Sequence, residues 1–232
     1  MTDQPRRRHV LITGPGRSGT TMLVELLERL GLETRVDHDR YDSVARAGLE
    51  WSLTDPDPPY VVKNPKASVR LQDWIDRGVV EPGDLDLVVV AVRDLSAAAR
   101  SRAEVSAQRR RVGAPGGLDG VRWARGQESE LARQLGRLVL TLAEHEIPHV
   151  LLAYPRSVRD PQYCYRALRP VLADIGPDEF EAAWREIVRP ELVHDYAGAP
   201  PTYRQSVALF ARDVVRRVRR KIERRASRAD QR

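Results

Sequence analysis

The sequence predicts an α/β fold in three layers, with a central, mostly parallel sheet flanked by helices. Three observations carry this. Val10–Thr13 (VLIT) reads as a strand buried on both faces, Leu85–Val92 (LDLVVVAV) as a central strand, and His149–Ala153 (HVLLA) as a further strand. Segments with helical spacing separate them, so strand and helix alternate along the chain. The first strand also passes through a glycine turn straight into a helix, in His9–Gly31 (HVLITGPGRSGTTMLVELLERLG).

In that first unit Gly14-Pro15-Gly16 breaks the strand and Ser18-Gly19-Thr20-Thr21 opens the helix. Met22, Leu23, Leu26, Leu27 and Leu30 recur at helical spacing, with Glu25, Glu28 and Arg29 on the other side and Gly31 as a natural terminator. A tight glycine loop between a buried strand and a helix N-terminus points several backbone N–H groups at one spot. The helix dipole adds partial positive charge there, so the segment reads as a cradle for phosphate or sulfate. Gly14 and Gly19 keep the spacing of the GxxxxGK[ST] nucleotide loop, but Thr20 stands in the lysine slot and the cation, Arg17, comes three residues earlier. Phosphoryl transfer from ATP or GTP through such a loop uses that lysine with magnesium. The loop is suited to an anion and poorly suited to ATP chemistry.

GPGRSGTT resembles the 5′-phosphosulfate loop of the sulfotransferases that use 3′-phosphoadenosine 5′-phosphosulfate (PAPS), which carry a Lys or Arg followed by SGTT at this place. The resemblance implies a three-layer fold like that of P-loop nucleotide-binding proteins. It implies PAPS as co-substrate, with Gly14, Gly16, Arg17, Ser18, Gly19, Thr20 and Thr21 around its 5′ end, and it implies no metal.

Beyond Gly31 a second short strand is expected over Glu33–Val36, followed by Asp37-His38-Asp39. The triplet could ligate a metal, act as a base or be a solvated loop. It offers too few ligands at any recognisable spacing for a metal, and it falls past a strand end, where ligands of open α/β sheets sit. Protein-tyrosine and several bacterial sulfotransferases carry a catalytic acidic residue, usually Glu, about this far beyond SGTT. By that resemblance Asp37 is the nearest candidate base, with His38 next. Residues 43–59 read as a weak helix ending in Asp55-Pro56-Asp57-Pro58-Pro59, and Tyr60–Val62 as a strand with Lys63-Asn64-Pro65 at its end. Lys63 alone could be a solvated strand-end lysine; it matches a family lysine that reaches toward the transferred group. Pro65 stands where the cytosolic small-molecule branch of the family has its histidine base, which leaves the search for a base near Asp37.

Ala67–Arg77 is a helix with Val69, Leu71, Trp74 and Ile75 for its buried side, and Pro82-Gly83 turns the chain into Leu85–Val92, expected at the centre of the sheet. A helix follows through about Arg110. Arg93 at the strand end and Ser101 eight residues later on that helix match the family's 3′-phosphate motif. The physical logic is a guanidinium fork making charge-assisted bonds to phosphate oxygens, with a hydroxyl as one further donor. Gly113–Gly120 (GAPGGLDG) is a loop that could be a lid or a plain connection. A long helix over Val121–His145, the strand His149–Ala153, a helix over Gln162–Ile175 stopped by Gly176, and a helix over Pro177–Val188 complete the domain. Tyr154-Pro155-Arg156 takes the place of the family's Tyr-Glu-Asp-Leu turn. His194 is a third candidate base, or a structural histidine.

The 232 residues fit one domain: a flexible N-terminus over 1–8, the sulfotransferase-like domain over 9–202, and a basic amphipathic helix and tail over 203–232. Apolar residues at 41% and charged residues at 31% exclude a disordered chain, and no apolar run approaches the roughly 18–20 residues of a membrane span. The apolar run behind Arg6-Arg7-Arg8 is too short for a signal peptide, and the single cysteine, Cys164, rules out an internal disulfide, so a cytoplasmic location is expected. The net charge of +6 is concentrated: Arg212–Arg228 holds nine basic residues against two acids, leaving the rest near neutral. A specific nucleic-acid partner is therefore not implied. Val207, Phe210, Val214, Val218 and Ile222 mark one face of the basic helix, which could touch an anionic membrane surface or polymer weakly, or pack on the domain.

The resemblance implies an enzyme that moves a sulfuryl group from PAPS to an acceptor hydroxyl or amine, on a carbohydrate, glycolipid or small molecule. Arg17, Asp37 and Lys63 would be catalytic, and Arg93 and Ser101 would hold the 3′-phosphate. Two other classes compete. A P-loop small-molecule kinase or NTPase would need magnesium and is opposed by Thr20. A non-catalytic anion-binding module acting through the basic tail would lose its function on truncation after Gln205 while PAPS binding survived.

Overall fold

The computed structural model describes residues 8–14, 16, 18–36, 49–102 and 124–190. Along them run β1 (His9–Thr13), α1 (Thr20–Arg29), β2 (Val61–Lys63), α2 (Ala67–Asp76), β3 (Leu85–Arg93), α3 (95–102), α4 (Ala124–Glu144), β4 (His149–Tyr154), α5 (Pro161–Leu168) and α6 (Pro177–Ile187). The four strands form one all-parallel sheet in the order β2-β1-β3-β4. β1 and β3 are the inner pair: Val10, Leu11 and Ile12, and Val88 through Ala91, are each 0% exposed. Burial on both faces explains why these runs are nearly unbroken by polar residues.

Side chains alternate across the sheet as strand geometry requires. Val10, Ile12, Val61, Val89, Ala91 and Leu152 face one helical layer, where Leu23 and Leu27 of α1, Leu168 of α5 and Phe180 of α6 pack on them. Leu11, Val62, Val88 and Val90 face the opposite layer, with Leu71 of α2 and Leu138 and Leu142 of α4. The path explains which helix goes where. From β1 the chain steps outward to β2 by way of α1. It then crosses back to β3 by way of α2 and continues outward to β4 by way of α4. Parallel crossovers of one hand put helices on opposite faces when the direction of travel reverses.

Three expectations need correction. Glu33–Val36 is not a strand: Arg35 sits at φ +46, which ends any pleat, and only the Val61 N–H reaches across to the Glu33 carbonyl, at 2.9 Å. Residues 49–54 of the weak helix are irregular, with Leu49 at φ +59, while the turn expected over Asp55–Pro59 is non-helical as read; 43–48 lie outside the described residues. The helix expected over Gln162–Ile175 stops as α5 at Leu168 and tightens into a 3₁₀ turn over Arg169–Val171, where Pro170 cannot donate. Asp160 caps α5 by accepting from the Tyr163 N–H at 2.8 Å, the capping bond a helix start favours. Among the described residues no helix is long and apolar enough to cross a membrane.

Cys164 lies on α5 with no exposed surface, packed in the core beneath the α1 layer. Burial, and to a lesser degree the nearby Asp160 carboxylate, push its thiol up to about 12. Only the thiolate reacts with disulfide reagents. Native protein at pH 8 is therefore expected to label at the rate of unfolding, in step with loss of secondary structure. Fast labelling of folded protein would show that α5 opens locally.

Candidate anion-binding site

The chain reverses its direction of travel between β1 and β3. Ligands of open parallel sheets bind at such points. The glycine loop leaves β1 here. Gly14 has φ +144, and a Cβ built on it would lie 2.3 Å from the Ala91 carbonyl oxygen of β3, so only glycine lets the loop pass this close to the neighbouring strand. Gly19 is the N-cap of α1 in the left-handed conformation, φ 80 and ψ 17, and contributes no side-chain cap. No acidic residue occupies the first turn of α1. The Ser18 hydroxyl is buried, with the residue 2% exposed, and has no hydrogen-bond partner among the described residues. A buried hydroxyl without a partner beside an uncapped helix N-terminus is the set of donors an oxyanion satisfies.

Strand alternation decides what else reaches this spot. Lys63 pairs in register with Ile12, and Arg93 with Tyr154, at the carboxyl ends of their strands. All four continue the rows that face the α1 layer (Val61, Ala91 and Leu152 precede Lys63, Arg93 and Tyr154 by two). Lys63 is 2% exposed, and its Nζ donates to Thr21 Oγ1 in the first turn of α1 at 3.0 Å. Its backbone is fixed from both sides: its carbonyl accepts from Trp51 N–H, and the following Asn64 N–H donates to the Ile12 carbonyl. Thr13 Oγ1 closes the same corner by donating to the Asn64 carbonyl at 2.8 Å. The Arg93 guanidinium carbon stands 4.9 Å from the centroid of the Tyr154 ring, a cation–π contact. That ring in turn lies 2.9 Å from where a Cβ on Gly19 would be. Tyr154 therefore connects the Arg93 end of β3 to the loop at the end of β1.

Ser101 is buried on α3, and the next residue, Arg102, reaches the loop: its Nη2 is 3.1 Å from a Cβ built on Gly16. Asp94, between Arg93 and α3, accepts from the Ala97 N–H at 2.8 Å, so the acid that directly follows the basic end of β3 is in use as a helix cap. The structure thus brings together Gly14, Gly16, Ser18, Gly19, Thr20, Thr21 and Lys63, and ties Arg93 to them through Tyr154; Ser101 is placed by α3 beside Arg102. The expected Arg17 and Asp37, and the alternatives His38 and His194, lie outside the described residues. Among the described residues no group of three or more His, Cys, Asp or Glu side chains could hold a metal ion. Tyr154 and Arg102 escape a reading of the sequence as site residues. The register pairing of Arg93 with Tyr154 at equal height on neighbouring strands is the signal for the first. No family model, curated protein or solved structure matches the chain.

Proposed function

We propose that the chain is a sulfotransferase that transfers the sulfuryl group of PAPS to an acceptor hydroxyl or amine, with a carbohydrate hydroxyl as the acceptor class. One observation carries the reading. A buried lysine from β2, the glycine loop from β1 and an arginine from β3 converge at the sheet's switch point, in the order that GPGRSGTT, Lys63 and Arg93–Ser101 occupy in the family they resemble. The same arrangement supports assignment of the α/β domain to the P-loop type.

In this reading the N–H groups of the loop and the Ser18 hydroxyl hold the 5′-phosphosulfate, and Arg93 and Ser101 hold the 3′-phosphate. The acceptor oxygen forms its bond to sulfur as the bond from sulfur to the bridging oxygen breaks. The acceptor's proton passes to a base, for which Asp37 is the candidate, and negative charge grows on the departing phosphate. Lys63, held against Thr21, supplies a fixed cation where that charge develops, and Arg17 would add a second. Preorganised charge of this kind is worth about 2.7–4 kcal/mol per donor. No step requires a metal.

The test is thermal stabilisation by adenosine 3′,5′-bisphosphate, the desulfated product, against ATP with magnesium. The bisphosphate is expected to stabilise more; equal or greater stabilisation by ATP–magnesium favours the kinase reading. Arg93→Ala is expected to weaken the bisphosphate about 10- to 100-fold, the scale of one charge-assisted phosphate contact, and to leave adenosine 5′-phosphosulfate little changed. Equal weakening of both would remove Arg93 from the 3′-phosphate.

A further inference from the structure

Arg102 has a placement that its neighbours in sequence do not explain. It stands at 102 in α3, directly after the buried Ser101, and two different edges of its guanidinium are engaged. Nη1 donates to Oε1 of Gln127 in α4 at 3.4 Å, and Gln127 is itself 6% exposed. Nη2, Nε and Cζ lie 3.1, 3.7 and 3.9 Å from a Cβ position on Gly16, so the other edge lies flat against the loop. Glu130, one turn after Gln127, accepts from Arg133 and Gln134, and those bonds chiefly hold its carboxyl below the usual range; Arg102 adds a smaller share.

A guanidinium donates and cannot accept. Here it is laid against Gly16, in the loop that carries the buried Ser18 hydroxyl and leads into the uncapped N-terminus of α1, the positive end of that helix dipole. The guanidinium, the buried Ser18 hydroxyl and the uncapped N-terminus of α1 are all donors, the kind of set an oxyanion takes. A side chain at Gly16 would occupy the space the guanidinium takes, so the same glycine that shapes the loop also admits the arginine.

We propose that Arg102 is a ligand of the anion held by the glycine loop, and that Gln127 is the positioning residue that aims it. This deepens the sulfotransferase reading, since the anion would be the 5′-phosphosulfate arm, but it needs only an oxyanion in the loop.

Two probes separate the proposal from the broader assignment: adenosine 5′-phosphosulfate, and inorganic pyrophosphate, which has no nucleoside. Arg102→Ala is expected to lower affinity for both by about 10- to 100-fold while adenosine 3′-phosphate binds as before. Arg102→Lys, which keeps the charge but loses the planar fork, should fall between. Gln127→Leu should lose several-fold affinity for the two loop probes but not for adenosine 3′-phosphate, and Gln127→Glu, which keeps an acceptor, should recover most of it. If Arg102→Ala leaves both loop probes unchanged, or weakens adenosine 3′-phosphate equally, the proposal is overturned. Should the alanine variant fail to fold, Arg102→Lys is measured against the same probes and the same outcomes decide. If pyrophosphate binds and depends on Arg102 while neither adenosine 5′-phosphosulfate nor the bisphosphate does, the sulfotransferase reading fails and the assignment of Arg102 stands. Failure of wild-type protein to bind either loop probe sinks both.

Discussion

Gly14→Ala is expected to lose about 3 kcal/mol of stability or more, from overpacking combined with an unfavourable backbone conformation. A Cβ there would sit 2.3 Å from a main-chain carbonyl oxygen of β3, and backbone in the middle of a sheet cannot swing aside as a side chain can. Relief requires β1 and β3 to part at their carboxyl ends, which would break the pairing of Thr13 with Val90. Against a typical total of about 5–15 kcal/mol, the loss should show as a large drop in urea midpoint or as insoluble expression. Gly31→Ala is the control. Gly31 also has positive φ, +83, but nothing lies within 4 Å of a Cβ there, so the cost should be only the conformational one of about 1 kcal/mol. If both variants melt alike, the close approach of the loop to β3 is not what demands glycine.

Lys63→Met should separate activity from stability. On the sulfotransferase reading proposed above, Lys63 would neutralise the leaving phosphate, and its removal is expected to lower kcat for sulfuryl transfer by about 10²–10³-fold. Stability is read separately. Lys63 is 2% exposed and hydrogen-bonded to Thr21, so its removal is expected to cost about 1–3 kcal/mol, the scale of leaving a buried partner unsatisfied. The urea midpoint should fall correspondingly while the fold is kept, a smaller change than the loss of turnover implies. Turnover within about threefold of wild type would make Lys63 a structural partner of Thr21 only. A matched fall in midpoint and activity would place its role in the fold.

How much of this is legible in the sequence follows from how local each determinant is. β1 and β3 can be read because burial on both faces leaves an unbroken apolar run, β4 because its short run VLLA is apolar even though Leu151 is exposed, and α1 because its apolar stripe sits behind a glycine turn. The loop part of the anion site is legible because its groups lie close together in sequence, between Gly14 and Thr21. Lys63, Arg93 and Ser101 are legible only by resemblance, since a strand-end lysine and an arginine with a serine eight residues on carry little information by themselves. Arg35 and Leu49 show a different limit. Neither is a residue type that announces positive φ, yet both adopt it and so abolish an expected strand and a stretch of helix. Tyr154 and Arg102 are out of reach because their partners are set by sheet register and by where α3 runs. Tyr154 lies 135 residues beyond Gly19, the glycine it packs on.

That separation bears on how the protein comes into being. Among the described residues β4 is the last strand made, and its closing residue braces Arg93 against the loop. A nascent chain still lacking β4 has the glycine loop but not the brace that ties Arg93 to it, so the complete site forms only once β4 has paired. Parallel strands paired across roughly fifty to seventy-five residues close slowly, and the half-made sheet shows its edge meanwhile. Ligand added during synthesis should therefore raise the yield only after release of the completed polypeptide, and a chaperone that shields strand edges should raise it earlier.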